Sequence, residues 1–312
     1  MKKVFQISSV LRTSLLVLLL LIRSKSFAQS GTDEDVPDKP QRMRPIERFQ
    51  FGLYLGTYFA NSYTANVYDG YGYDIYGLRN DFTNSFLNRA IYYNSGINGQ
   101  KDNIAQQLGV QPGEWSFGES DMPVNLTYNV AFAVGFNGRI CINRRDAIIF
   151  NVNASRINAS GNFTITLTNP NPNAQAPGYV NYKTFNITGR EQRLMFQVGL
   201  QRLLGDIGKF NLFIEGGLTS TLAKYDNNVI VINKLTVDLA SFYNQAGVVS
   251  YRPSILTGIG LGAFGGIGVN MTANRNTVVQ LVYNPTYETI KIGADPKLAL
   301  QQYIGLRVYG HL

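Results

Sequence analysis

The stretch Val124-Asn-Leu-Thr-Tyr-Asn-Val-Ala-Phe-Ala-Val-Gly-Phe-Asn-Gly-Arg139 decides the fold. Leu126, Tyr128, Val130, Phe132, Val134 and Phe136 alternate with Asn125, Thr127, Asn129, Ala131, Ala133, Gly135 and Asn137, the period of a β-strand. One side is greasy; the other is small or polar and carries no charge before Arg139. A strand of a water-soluble sandwich or lipocalin-type barrel buries its apolar stripe and covers the outside with Lys and Glu. Without that charged side, the stretch reads as a strand that turns its greasy side to lipid and its small polar side to a narrow lumen.

Seven more segments carry the same signature. Phe49, Phe51, Leu53, Leu55 and Phe59 face away from Gln50, Gly52, Tyr54, Gly56 and Tyr58. Alternation returns over Ile148–Ser155, Leu194–Gln201, Phe210–Thr219, Ser254–Asn270, Val279–Asn284 and Leu298–Tyr309. The connections alternate as well. Short ones lie near Ile142–Asp146, Gly205–Lys209 and Ala273–Asn276. The others are Asn61–Pro123, Thr168–Gly178, Ala223–Arg252 and Lys291–Pro296. Short turns on one side and longer loops on the other are the habit of outer-membrane barrels, whose short side faces the periplasm. The expected fold is all-β: an eight-stranded antiparallel up-and-down transmembrane barrel with long extracellular loops.

Two further segments precede the barrel. Lys2 and Lys3, the apolar run Leu15–Ile22 and Ser26-Phe-Ala28 form a cleavable signal peptide over residues 1–28, with outer-membrane localisation the expected outcome. Residues 29–47 read as a polar, Pro-containing periplasmic linker, and 48–312 as the barrel. The formal charge of +8 rests largely on the leader, which holds Lys2, Lys3, Arg12, Arg23 and Lys25 and no acid. Without it the chain is nearly neutral, which argues against nucleic-acid binding. No run after Ile22 is apolar for the ~18 residues of a spanning helix. The lone Cys141 excludes an internal disulfide and a Cys-based zinc site.

Phe49-Gln-Phe-Gly-Leu-Tyr-Leu-Gly56, Phe213-Ile-Glu-Gly-Gly217 and Gly258-Ile-Gly-Leu-Gly-Ala-Phe-Gly-Gly266 resemble the small outer-membrane β-barrel proteins of the PorT-like and OmpX-like group. The resemblance covers the strands from about Arg48 to Leu312 and leaves out the first long loop. It implies a barrel in outer-membrane lipid and, for the PorT-like members, support of an outer-membrane secretion machinery.

Candidate chemistry is sparse. The single His, His311, is penultimate, so no His-based catalysis is expected, and no motif points to a cofactor or metal. The Gly258–Gly268 series has period two and no Lys-Ser/Thr ending, so it reads as strand glycines and not as a phosphate loop. Glu215 and Arg307 fall on the lumen side and are expected to pair, with Arg139 and Arg193 as alternative partners. The first long loop, with a helical turn or two around Phe86–Ile91, holds Tyr68, Tyr71, Tyr73, Tyr76 and Trp115. A loop of ~60 residues is rarely mere connection. It is expected to recognise a protein or glycan partner or to cap the barrel mouth. The expected function is structural or interaction-based, the alternative being a narrow pore or transporter.

Overall fold

The computed structural model describes residues 49–74, 78–92, 100–168, 181–205, 209–239, 257–273, 277–292 and 296–311. The chain divides at Pro45/Ile46, and all described residues belong to the unit that starts at Ile46. The expected signal peptide, the linker, Arg48 and Tyr76 lie outside them.

Eight strands make the wall: β1 (Phe49–Phe59), β2 (Ala131–Cys141), β3 (Asp146–Leu167), β4 (Asn181–Leu204), β5 (Phe210–Ile232), β6 (Thr257–Thr272), β7 (Thr277–Lys291) and β8 (Leu298–His311). Each is antiparallel to the strand before and after it. β1 closes on β8 from Gln50↔His311 to Phe59↔Gln302. The sheet is a closed up-and-down barrel of eight strands, so every wall strand has two bonded neighbours. The connections from β2 to β3, β4 to β5 and β6 to β7, all at one end, are short, at four, five and four residues. In the first, the Asn143 side chain accepts from the Arg145 and Asp146 N–H groups.

Strand lengths are unequal. β1 and β2 have 11 residues each and β6 to β8 have 16, 15 and 14, whereas β3, β4 and β5 have 22, 24 and 23. The last three rise beyond the rim as a tall wall, well past the ends read from sequence. β5 runs to Ile232, turns at Asn233 (φ 52°) and returns as Leu235–Asp238, so part of the expected Ala223–Arg252 loop is strand.

The wall changes character along these strands without losing its alternation. On the lower part of β4, Leu200, Val198, Phe196 and Leu194 point outward while Gln201, Gln197 and Arg193 point in. Higher up, Arg190, Thr188 and Asn186 point out and Ile187 and Phe185 point in. β3 makes the same exchange, from Phe150, Val152 and Ala154 outside to Arg156 and Asn158 outside. β5 makes it between Leu222 and Lys224. Low down the apolar side faces out; above it faces in.

The deciding stretch itself needs a correction. Val124–Tyr128 is a separate short strand on upper β3, and β2 begins only at Ala131. Asn125 takes a left-handed φ of 59°, and the register shifts by one residue between Tyr128↔Ala159 and Ala133↔Ser155. The shift swaps sides: Leu126 is 2 % exposed and faces in, whereas Phe132 is 63 % exposed and faces out. The single greasy face read across Val124–Arg139 is therefore two faces joined by a bulge.

Candidate functional site

The lumen of the lower barrel is filled by polar side chains from all sides. Glu215 on β5 accepts two bonds from Arg307 on β8, Nη1 to Oε2 at 2.7 Å and Nη2 to Oε1 at 2.8 Å. Gln201 and Asn284 each donate to the same carboxylate at 3.0 Å. From there the bonds continue across the lumen: Gln197 donates to Asn284, Asn151 to Gln197, and Asn137 to Asn151. Gln280 exchanges bonds with Gln201 and donates to Asn270. A carboxylate away from water needs its remaining lone pairs satisfied, and this amide network supplies those bonds to Glu215.

A second charged centre sits where the wall changes character. Arg193 donates from Nε to Glu191 Oε1 at 2.7 Å and from Nη2 to Thr64 Oγ1 at 2.8 Å, and its Nη1 donates to the Tyr58 hydroxyl. Tyr128 donates to Glu191 Oε2 at 2.7 Å, and Tyr68 reaches the same oxygen at 3.4 Å. Tyr58 stacks on Tyr303 with centroids 4.4 Å apart and donates to Gln301, which also accepts from the Asn61 N–H. Thr64 and Tyr68 belong to the 3-10 helix Ser62–Tyr68 that opens the first long loop. This centre therefore ties the loop to the barrel. Gly189 makes the tie possible, because a Cβ there would run into the Tyr68 ring.

Above it the first long loop folds as a cap against the inner face of the tall wall. Helix α1 (Phe86–Tyr92) buries Phe86, Leu87, Ala90 and Ile91, and α2 (Gln100–Leu108) buries Ile104, Ala105 and Leu108. These pack with Ile187, Phe163, Ile165, Ile230 and Ile232 of the wall in one apolar core. Trp115 stacks on Tyr92 at 5.6 Å, and Trp115–Ser116 pairs with the top of β3 at Leu167 and Thr166. Lys183 of β4 donates to the Leu108 carbonyl at 2.7 Å, where a cation suits a helix C-terminus. Asp69 pairs with Arg79 at 2.6 Å and accepts from the Tyr71 N–H. Burial nevertheless pushes the Asp69 carboxyl above the usual carboxylate range, against both of those contacts. Burial and the Glu191 carboxylate push the Tyr68 phenol up as well.

Of the lumen charges singled out in the sequence, Glu215 and Arg307 meet, Arg193 is taken by Glu191, and Arg139 is buried without an ion pair among the described residues. Glu191 was missed, as was Glu288, which is fully buried and accepts from Thr221 at 2.6 Å. Both keep the inward phase of their strands, Glu191 with Arg193 and Gln197, and Glu288 with Thr286 and Asn284; carrying the alternation further along each strand would have found them. Of the loop aromatics, Tyr68 and Trp115 are buried in the cap core. Tyr71 and Tyr73 are partly exposed, with the Arg79 guanidinium 3.7 Å over the Tyr71 ring.

No family model matches the chain, and no curated protein does. Among solved structures it is similar to Neisserial surface protein A (11% identity, 85% of this chain and 95% of that chain, TM-score 0.33). It is also similar to the attachment invasion locus protein Ail of Yersinia pestis (8%, 84% and 99%, 0.31) and to the outer membrane protein OprG from Pseudomonas aeruginosa (10%, 85% and 97%, 0.32). The fold stands on the strand pairing itself.

Proposed function

We propose that the protein is a closed barrel of the bacterial outer membrane that serves as an anchor, holding its capped long-loop side outside the cell for interaction with a protein or glycan. The observation that carries this reading is the exchange of faces along β3, β4 and β5. Water rewards an apolar interior and a polar exterior, and lipid rewards the reverse. One wall obeying both rules in succession is a wall that leaves lipid and enters water. An apolar layer about 25 Å thick takes ~10 residues of tilted strand, which β1 and β2 match with 11 each. The extra length of β3 to β5 is then the part that stands in water.

The anchor role is favoured over a pore because chords of bonded side chains span the lumen and the cap packs against the wall above it. Catalysis has no place in this reading. A post beside a secretion machinery, which the PorT-like resemblance suggests, is its most specific form. Reconstitution in planar bilayers tests the choice: an anchor conducts no more than leakage, and steady single-channel steps would replace it with a pore. Pull-down from intact cells with and without residues 70–118 tests the loop. Loss of partners is expected, and recovery of the same partners would remove the cap from recognition.

A further inference from the structure

The row in which the wall turns polar is also a row of cations. Arg156 on β3 pairs in register with Gln192 on β4, and Gln192 with Lys224 on β5. All three side chains point outward, and Arg190 stands exposed one outward position above Gln192. Arg156 and Lys224 are two strands apart, about 10 Å at the backbone, so their long side chains can close on one group between them. Among the described residues no ion pair engages Arg156, Lys224 or Arg190, although Asp226 follows on the same side of β5. Directly below, Ala154 pairs with Leu194 and Leu194 with Leu222. Because Ala154 is small, the surface dips into an open groove of about 510 Å³ lined by Phe132, Leu194 and Leu222, with Arg156 and Lys224 at its edge.

We infer that this groove is a binding site for one lipid with a phosphorylated headgroup, its phosphate held by Arg156 and Lys224 and an acyl chain laid over Ala154. This rests on the reading that the apolar belt lies in a membrane. At that depth the groove opens into the acyl layer and the cations stand at headgroup level, which is the order of parts in such a lipid. Charge complementarity selects the headgroup: two cations without an ion pair among the described residues edge one groove, and a phosphomonoester carries up to two negative charges. A diffuse basic surface needs no groove, and a groove for acyl chains alone needs no cations.

The test uses full-length mature protein in detergent and native mass spectrometry, with lipid A, enzymatically dephosphorylated lipid A and phosphatidylglycerol as probes. One equivalent of lipid A is expected to stay bound under conditions that strip the other two. The double variant Arg156→Gln/Lys224→Gln should retain it roughly tenfold less, and Ala154→Trp, which fills the groove, should lose it too. Arg202→Gln, at the other end of the belt, should bind as the parent does. Heat-modifiable migration of every variant shows that it is folded. Equal retention of dephosphorylated lipid A, undiminished binding by the double variant, or displacement by millimolar inorganic phosphate would overturn the site. Insertion into phosphatidylcholine vesicles separates the two readings: a protein that inserts but retains no lipid A loses only this site, and one that does not insert loses the membrane reading beneath it.

Discussion

At the scale of single residues the lumen is decided by charges that have nowhere else to go. Breaking a buried pair from one side costs about 3–5 kcal/mol, because the other charge stays behind unpaired. Glu215→Ala is therefore expected to destabilise the barrel by about that amount, and Glu215→Gln/Arg307→Met to recover most of it. Urea titration followed by the heat-modifiable band measures both, and equal losses in the single and double variants would mean that the pair is not coupled. Asp69 gives a pH signature. Its raised carboxyl holds its proton in the folded cap to higher pH than in the unfolded chain. Its contribution to cap stability is present below the usual carboxylate range and lost as pH rises through the raised value. Amide exchange in α1 should therefore slow on acidification from pH 6 to pH 4 more in the parent than in Asp69→Asn. The Glu215–Arg307 pair was legible because both residues sit inside unmistakable alternation. The Glu191–Arg193 pair was only half legible, because Glu191 lies past the point where the outward apolar residues of β4 stop.

At the scale of elements, the same stop explains which strand ends were misread. A search for strands that keeps one side apolar follows β1, β2, β6 and β8 nearly to their ends, since these hardly leave the belt. It abandons β3, β4 and β5 where the apolar side changes over, although the period of two continues for a further ten residues or so. The cap was legible at α1, where Phe86, Leu87, Ala90 and Ile91 have helical spacing. Helix α2, with only Ile104, Ala105 and Leu108 buried among polar neighbours, gave too weak a stripe to be read. The cap shares one apolar cluster with the upper wall, and a second cluster lies in the lower barrel, so the cap and the lower barrel should loosen separately. Leu87→Ala is expected to cost the cap about 2–4 kcal/mol and Gly189→Val to displace Tyr68. Both should raise amide exchange in α1 and α2 while leaving exchange in β6 to β8 unchanged. Faster exchange throughout would mean that cap and barrel form one cooperative unit.

At the scale of the whole molecule the outward belt sets where the protein can live. Val198 and Leu218 pair side by side in the belt, both exposed. Leu218→Arg should cost about 2–4 kcal/mol if that row lies near the middle of the bilayer, read as a lower urea midpoint in lipid vesicles. In lauryl maltoside micelles, which adapt to the charge, the loss should be smaller. An equal loss in both would argue that the belt packs against something other than lipid.

The seam between β1 and β8 carries a consequence in time. Every other junction in the wall joins segments that follow one another along the chain, so each hairpin can form as soon as its two strands exist. The seam joins partners such as Tyr58 and Tyr303, and must wait until the last strand has been made. Until then the nascent protein is an open sheet, and its first and last strands each present a row of unmet N–H and C=O groups beside an apolar face. Those two bare borders are where a stalled chain would stick to its neighbours.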